Sequence, residues 1–423
     1  MTAFALDSTV EVRPYVQRRD GQETIIGDPD RKVFLAIPTE GMEILEGLAA
    51  GSTVAECARR YEEKHQETPD IDAFLDILAA EGFLARSDAD GRPAEPTHAH
   101  SHGPARGRGL SMNWISPRIA AWLSGGPALL VYLAIAVLGI GLYASDPSVM
   151  PGPHALLFQG GNFALLLGIT FLLAVAGTLV HESAHAVVAR ALGTPVTLNL
   201  GNLLYVLVAQ TDITGIQMAS KPRRFLAVMA GTIADLVCAS LLFAVMYADQ
   251  KGIVTLPGQG FLLVAGVFYT FLLRMMAQLF CYVRTDVYYL YATAFSCRSL
   301  MTDTETLLKN LFRRVSGRPV VDQSHIASRE RWAIRGYSVI YVFGRLFAFV
   351  MLFTFIIPIM AGTIYQFSQY IQGKPAQLGF IDFFAVGALT LLIYGAGLYL
   401  WGRNLRRGYV RRAAARRAVQ PVG

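Results

Sequence analysis

The chain carries His181-Glu182-Ser183-Ala184-His185 inside an apolar stretch, and no Asp, Glu, Lys or Arg occurs from Leu165 to Val180. Such a run reads as a membrane-spanning helix, because a bilayer core takes about 20 apolar residues. On a helix, histidines four apart share one face, a turn apart. Both imidazoles then reach one tetrahedral zinc, and Glu182 between them faces the metal's water as general base. Ionisable groups at that depth cost free energy and are usually functional. The competing reading, a coincidental match on a buried helix, must explain three ionisable groups carried into one span.

The rest of the chain suits a membrane setting. Of 423 residues 53% are hydrophobic, and the mean hydropathy is +0.40. Six spans are expected, near 119–143, 164–190, 225–247, 261–283 (or on to 297), 337–361 and 380–401. The segments 144–162, 249–258 and 362–379 carry at most one Lys or Arg each, whereas 298–335 is dense in basic residues, chiefly Arg, and the tail 402–423 has seven Arg and no acid. The positive-inside rule then places both termini in the cytoplasm of a multi-pass inner-membrane protein. Met1–Asp7 has neither the basic start nor the apolar core of a signal peptide. Cys57, Cys238, Cys281 and Cys297 show no paired spacing and read as small core residues.

Charge divides the chain. Residues 1–86 hold 9 Lys/Arg against 17 Asp/Glu, a net of −8, so the remainder carries +14 of the total +6. Residues 9–37 alternate like strands, and three helical patterns follow at Thr39–Leu48, Thr53–Lys64 and Asp70–Glu81, each opening on a capping-type residue. A strand ribbon with three helices is an α+β winged-helix arrangement. At −8 it repels phosphates, which excludes nucleic acid as a partner and favours peptide. The run Phe34-Leu35-Ala36-Ile37-Pro38-Thr39-Glu40-Gly41-Met42-Glu43-Ile44-Leu45, followed by Leu48-Ala49-Ala50-Gly51-Ser52-Thr53-Val54, resembles a PqqD-like domain. The resemblance implies capture of a leader peptide as an added strand against the third helix. A packing domain without a ligand is the alternative. Residues 87–118 read as a flexible His/Gly/Pro-rich linker in which His98, His100 and His102 form a loose metal-binding tract or a merely solvated one. Residues 119–402 form the membrane domain, and 403–423 a basic cytoplasmic tail.

His181 lies nine residues before Arg190, roughly 13 Å below the cytoplasmic boundary. A catalytic zinc needs a third protein ligand at that depth and keeps one position for water. Asp286 is the first candidate and Asp235 the next; Cys281 and Cys238 are further ones. The arrangement resembles the site-2 protease family of intramembrane zinc metalloproteases. Ala230-Gly231-Thr232-Ile233-Ala234-Asp235 stands where that family has Gly-x-x-x-Asn, and Arg284-Thr285-Asp286-Val287 where it has Leu-Asp-Gly. The resemblance implies zinc on His181, His185 and Asp286, with Glu182 as the catalytic base. Asp235 is expected to pair with Arg284 beside the zinc, and the guanidinium is a candidate to stabilise the oxyanion. A protonated Asp235 is the alternative. Arg274, twelve residues before Asp286, falls near the outer boundary if the fourth span is one continuous helix.

Val196–Ile216 reads as a strand pair turning at Gly201-Asn202, an edge for an extended substrate, or as a plain connector. Pro358, Gly387, Gly395 and Gly397 are candidate hinges. The expected function is a zinc endopeptidase that cleaves a membrane-associated or leader-bearing peptide, with a peptide exporter as a further partner. The alternatives are a non-catalytic peptide receptor or export component that retains zinc, and a metal transporter, which would need ligands at several depths.

Overall fold

The computed structural model describes residues 6–20, 23–28, 31, 33–84, 109–150, 152, 163–203, 206–297, 299–323, 326, 328–351, 353–354, 357–374 and 379–418. The tract of His98, His100 and His102 lies outside the described residues. The chain divides into two compact units. One is Met1–Gly109 with Leu192–Pro195 and Ile213–Ser220; the other is Leu110–Ala191, Val196–Asp212 and Lys221–Gly423.

In the first unit, strands β1 (Val16–Asp20), β2 (Glu23–Asp28) and β3 (Val33–Pro38) form an antiparallel sheet in that order, with Ile26 opposite both Gln17 and Leu35. Helices α1 (Thr39–Ala49), α2 (Val54–His65) and α3 (Ile71–Ala80) follow at the expected positions. Two start where the sequence supplies a cap. Thr53 accepts the Glu56 N–H while the Glu56 carboxylate accepts the Thr53 N–H, and Asp70 accepts from Ala73. Each such cap satisfies donors that a helix start leaves orphaned, worth about 1 kcal/mol. Ile26, Leu45, Leu48, Leu75, Leu78 and Phe83 close the core.

The second unit is helical. Its long elements are α5 (Gly126–Ser145), α6 (Phe163–Ala191), α7 (Lys221–Gln250), α8 (Gly260–Gln278), α11 (Ser328–Met351) and the pair α13 (Phe380–Thr390) and α14 (Ala396–Ala418), joined by a π turn at Leu391–Gly395. Shorter helices are α4 (Pro117–Leu123), α9 (Asp286–Phe295), α10 (Leu300–Val315) and α12 (Ile357–Ile371). Among the described residues, six helices are long and apolar enough to cross a membrane: Gly126–Ser145, Ala164–Ala191, Lys221–Gln250, Gly260–Gln278, Glu330–Met351 and Phe380–Arg407. The chain therefore has the make-up of a polytopic α-helical membrane protein.

Three spans differ from expectation for local reasons. The first begins at Gly126, not near 119, because α4 ends at Leu123 and Pro127 sits in the first turn of α5, where its missing N–H costs nothing. The fifth ends at Met351. Pro358 sits in the first turn of α12, where its missing N–H costs nothing, instead of inside the span. The fourth stops at Gln278, and Leu279–Thr285 is non-helical before α9 begins.

Strand β4 (Leu110–Ser111), within the segment read as linker, pairs with β5 (Thr197–Leu203), and β5 pairs with β6 (Val206–Asp212). Gly201 and Asn202 are paired inside β5, opposite Val208 and Leu207, so they are not the turn. Helix α7 is the centre of the bundle and packs on α5, α6, α8 and α9. Asp382 in the first turn of α13 accepts the N–H groups of Gly379 and Ala164, so α6 and α13 start side by side.

Candidate metal centre

Helix α6 brings His181 and His185 onto one face with their Nε2 atoms 3.3 Å apart. Each ring is oriented from behind. His185 Nδ1 lies 2.8 Å from the Ala227 carbonyl oxygen, and His181 Nδ1 lies 2.8 Å from Asp235 Oδ2. A carbonyl oxygen only accepts, so His185 carries its proton on Nδ1 and presents the Nε2 lone pair inward; the carboxylate does the same for His181. Opposite them, Asp286 Oδ2 lies 3.3 Å from His181 Nε2 and 3.4 Å from His185 Nε2. That oxygen is buried and has no hydrogen-bond partner.

Three ligand atoms converging on one point, His181 Nε2, His185 Nε2 and Asp286 Oδ2, could hold a metal ion. A tetrahedral ion with bonds of about 2.0–2.1 Å has ligand-to-ligand edges of about 3.3–3.4 Å, and the three edges of this triangle are 3.3, 3.3 and 3.4 Å. Among the described residues, His181, His185 and Asp286 are the one group of three or more His, Cys, Asp or Glu side chains drawn this closely together. Neither Cys281 nor Cys238 belongs to it.

Helix α7 contributes a stripe four residues in period. Ala227 supplies its carbonyl, Gly231 faces both Nε2 atoms, and Asp235 holds His181. A Cβ on Gly231 would overlap the Nε2 atoms of both histidines, so only glycine permits this approach. Asp235 is fully buried, and its second oxygen accepts from Arg274 Nη1 at 2.9 Å. Arg274 also donates to the Ala174 carbonyl of α6 and lies over the Phe271 ring. Asp235 is thus a support for His181 and not the third ligand.

The partner expected for Asp235 was Arg284, and this is corrected: Arg284 is exposed, and Arg274 makes the pair. The cause is the end of α8 at Gln278. A continuous helix would have put Arg274 and Asp286 far apart in depth, but the non-helical Leu279–Thr285 carries the chain back. Gln278 staples that turn. Its Oε1 accepts from the Asp286 N–H and its carbonyl from the Thr285 hydroxyl, each at 2.9 Å. Thr285 caps α9, and Asp286 is its first residue. The sequence signal was present in Thr285-Asp286, a cap signature inside an apolar run.

Glu182, between the histidines in sequence, is buried, and its Oε2 accepts the Thr211 N–H of β6 at 2.6 Å. The Thr211 hydroxyl donates to the Glu182 backbone oxygen at 3.1 Å. Neither contact was legible in the sequence. A cavity of about 440 Å³ lies on another side of α6, lined by Leu129, Tyr132, Ala184, Val188, Ile233 and Cys238 among others, with no histidine or carboxylate in its wall. It is separate from the metal centre.

Neither protein-family models, nor curated proteins, nor solved structures match this chain.

Proposed function

We propose that this chain is an intramembrane zinc endopeptidase acting on a peptide presented by its N-terminal domain. The observation that carries the reading is Glu182, a buried carboxylate on the same helix as the two histidines of the triad and lying between them in sequence. His181 Nε2, His185 Nε2 and Asp286 Oδ2 would hold the zinc; two imidazoles and a carboxylate are a common donor set for a catalytic zinc. Bound there, zinc supplies Lewis acidity toward the scissile carbonyl.

The remaining work falls to the chain's own residues. Glu182 takes a proton from the attacking water and returns it to the departing amine nitrogen. The C–N bond breaks as the water oxygen joins the carbonyl carbon, and the two hydrogens of water end on the amine and acid products. Asp235 and the Ala227 carbonyl keep both imidazoles facing inward, and Arg274 keeps Asp235 in place. A peptide bond in a helix is closed to attack, so the substrate is read as extended, with the β5–β6 hairpin offering an edge.

The first unit, net −8, is read as the leader-peptide binder, with no role for nucleic acid. The setting is read as the inner membrane with both termini cytoplasmic and a peptide exporter as a further partner. The test replaces Glu182 by Gln and follows metal content beside cleavage of peptides encoded near the gene. Zinc retained with cleavage reduced about 10²–10⁴-fold supports the reading. Cleavage unchanged by the substitution rejects it.

A further inference from the structure

Thr211 is the point where the proposed base meets the sheet, its N–H on the Glu182 carboxylate and its hydroxyl on the Glu182 backbone. A hydrogen bond to a carboxylate is among the stronger kinds. Strand β6 is the outer member of the order β4-β5-β6, and its pairing with β5 runs one-to-one from Leu203–Val206 to Thr197–Asp212. In an antiparallel ladder, alternate residues turn their backbone groups to opposite sides. The Thr211 N–H points to Glu182 and not to Leu198, its partner across the pair. It follows that Leu207, Ala209 and Thr211 turn their N–H and C=O groups away from β5, along the outer edge.

Those are the groups that an added strand uses. The last of them is already engaged by the carboxylate that the proposed chemistry needs. One N–H therefore has two claimants, the resting base and an incoming peptide carbonyl.

Given the extended substrate on the hairpin edge that the proposed function has, we propose that its pairing with Leu207, Ala209 and Thr211 of β6 takes the Thr211 N–H from Glu182, so that docking itself frees the carboxylate for the reaction. The inference rests on the peptidase reading for its substrate and adds the exchange at Thr211. The exchange is one hydrogen bond for another, peptide carbonyl for carboxylate, with no covalent change. The Thr211 hydroxyl stays on the Glu182 backbone and keeps β6 against α6 while the carboxylate turns. Selectivity follows directly. A helical segment or a very short peptide cannot make the ladder and leaves Glu182 held.

The test uses the full metal-loaded chain and two probes: a peptide of about eight alternating valine and threonine residues, and a blocked valine-threonine dipeptide too short to pair. Hydrogen exchange is read at single residues in a Glu182→Ala variant. Without peptide, the Thr211 amide should exchange at least about tenfold faster than in the unchanged protein, its partner being gone. The long peptide should restore protection at Leu207, Ala209 and Thr211, and the dipeptide should not. No protection at Thr211 with the long peptide overturns the proposal.

Turnover supplies a second arm. Thr211→Pro removes the N–H at an edge position where β5 does not use it, which a strand tolerates. Thr211→Val removes only the hydroxyl. The preference for long over short peptide should fall about tenfold in Thr211→Pro relative to Thr211→Val, as the base no longer waits for docking. An unchanged preference with metal retained overturns the arming step. Should the exchange pattern hold while the unchanged protein cleaves neither peptide, the docking stands and the peptidase reading falls.

Discussion

Arg274 on α8, half-buried, and Asp235 on α7, fully buried, form an ion pair with 2.9 Å between Nη1 and Oδ1, and the other oxygen of the same carboxylate holds His181 Nδ1. A fully buried carboxylate among apolar helices is stable only with compensation, and here it comes from two directions. The pair thus ties the orientation of one imidazole to two neighbouring helices.

Arg274→Ala should therefore destabilise the protein by up to about 3 kcal/mol, because it leaves the buried Asp235 without its charge partner and held by His181 alone. The Arg274→Ala/Asp235→Ala double variant should lose less than the sum of the singles. A thermal-unfolding double-mutant cycle in detergent measures this, and additive losses would show that the two residues do not interact. Arg284→Ala, at an exposed position, should shift stability far less.

Metal content should rank the residues by their distance from the centre. His181→Ala, His185→Ala and Asp286→Ala should each remove most of the bound metal, since each deletes one of three ligands. Asp235→Ala should weaken binding only about 10–100-fold, the usual effect of losing a support behind a ligand. Elemental analysis and competition with a chelating dye give both numbers. Stoichiometric metal in the His181→Ala/His185→Ala double variant would remove the site assignment.

The first unit should bind extended, leader-type peptides and ignore duplex DNA. Its net charge of −8 opposes the phosphate backbone, and a strand at the edge of a three-stranded sheet can accept another strand. Fluorescence anisotropy with residues 1–90 separates the outcomes. Micromolar, salt-sensitive DNA binding would be the contrary result.

The sequence was most informative where one local rule acts alone. The period of the helices and the caps at Thr53 and Asp70 set the elements of the first unit, and apolar length marked all six spans. Spacing placed His181 and His185 on one face, and depth selected Asp286. It misjudged the Asp235 partner because depth was counted along a continuous helix. The break after Gln278 is held by a side chain accepting a backbone N–H, a tertiary contact without a sequence period. The Glu182–Thr211 bond was hidden for the same reason. Its members lie 29 residues apart on a helix and a strand.

Gly231 gives the sharpest test of the centre, because it touches two of the candidate metal ligands without being one. Its place on α7, four residues after Ala227 and four before Asp235, puts it where a side chain would project between His181 Nε2 and His185 Nε2. Alanine is the better helix former by about 1 kcal/mol, so on propensity alone Gly231→Ala should stabilise α7. The added methyl instead meets two buried rings that are already fixed through Nδ1, and neither can retreat without giving up its hydrogen bond. Gly231→Ala should therefore lose most of the metal while the helix content stays unchanged. Gly141→Ala on α5, where a Cβ meets nothing within 4 Å, should leave metal content as it was. Metal content by elemental analysis beside circular dichroism reads both. Full metal occupancy in Gly231→Ala would mean that α7 does not press on the histidines and that the tight triangle of donors is not held as described.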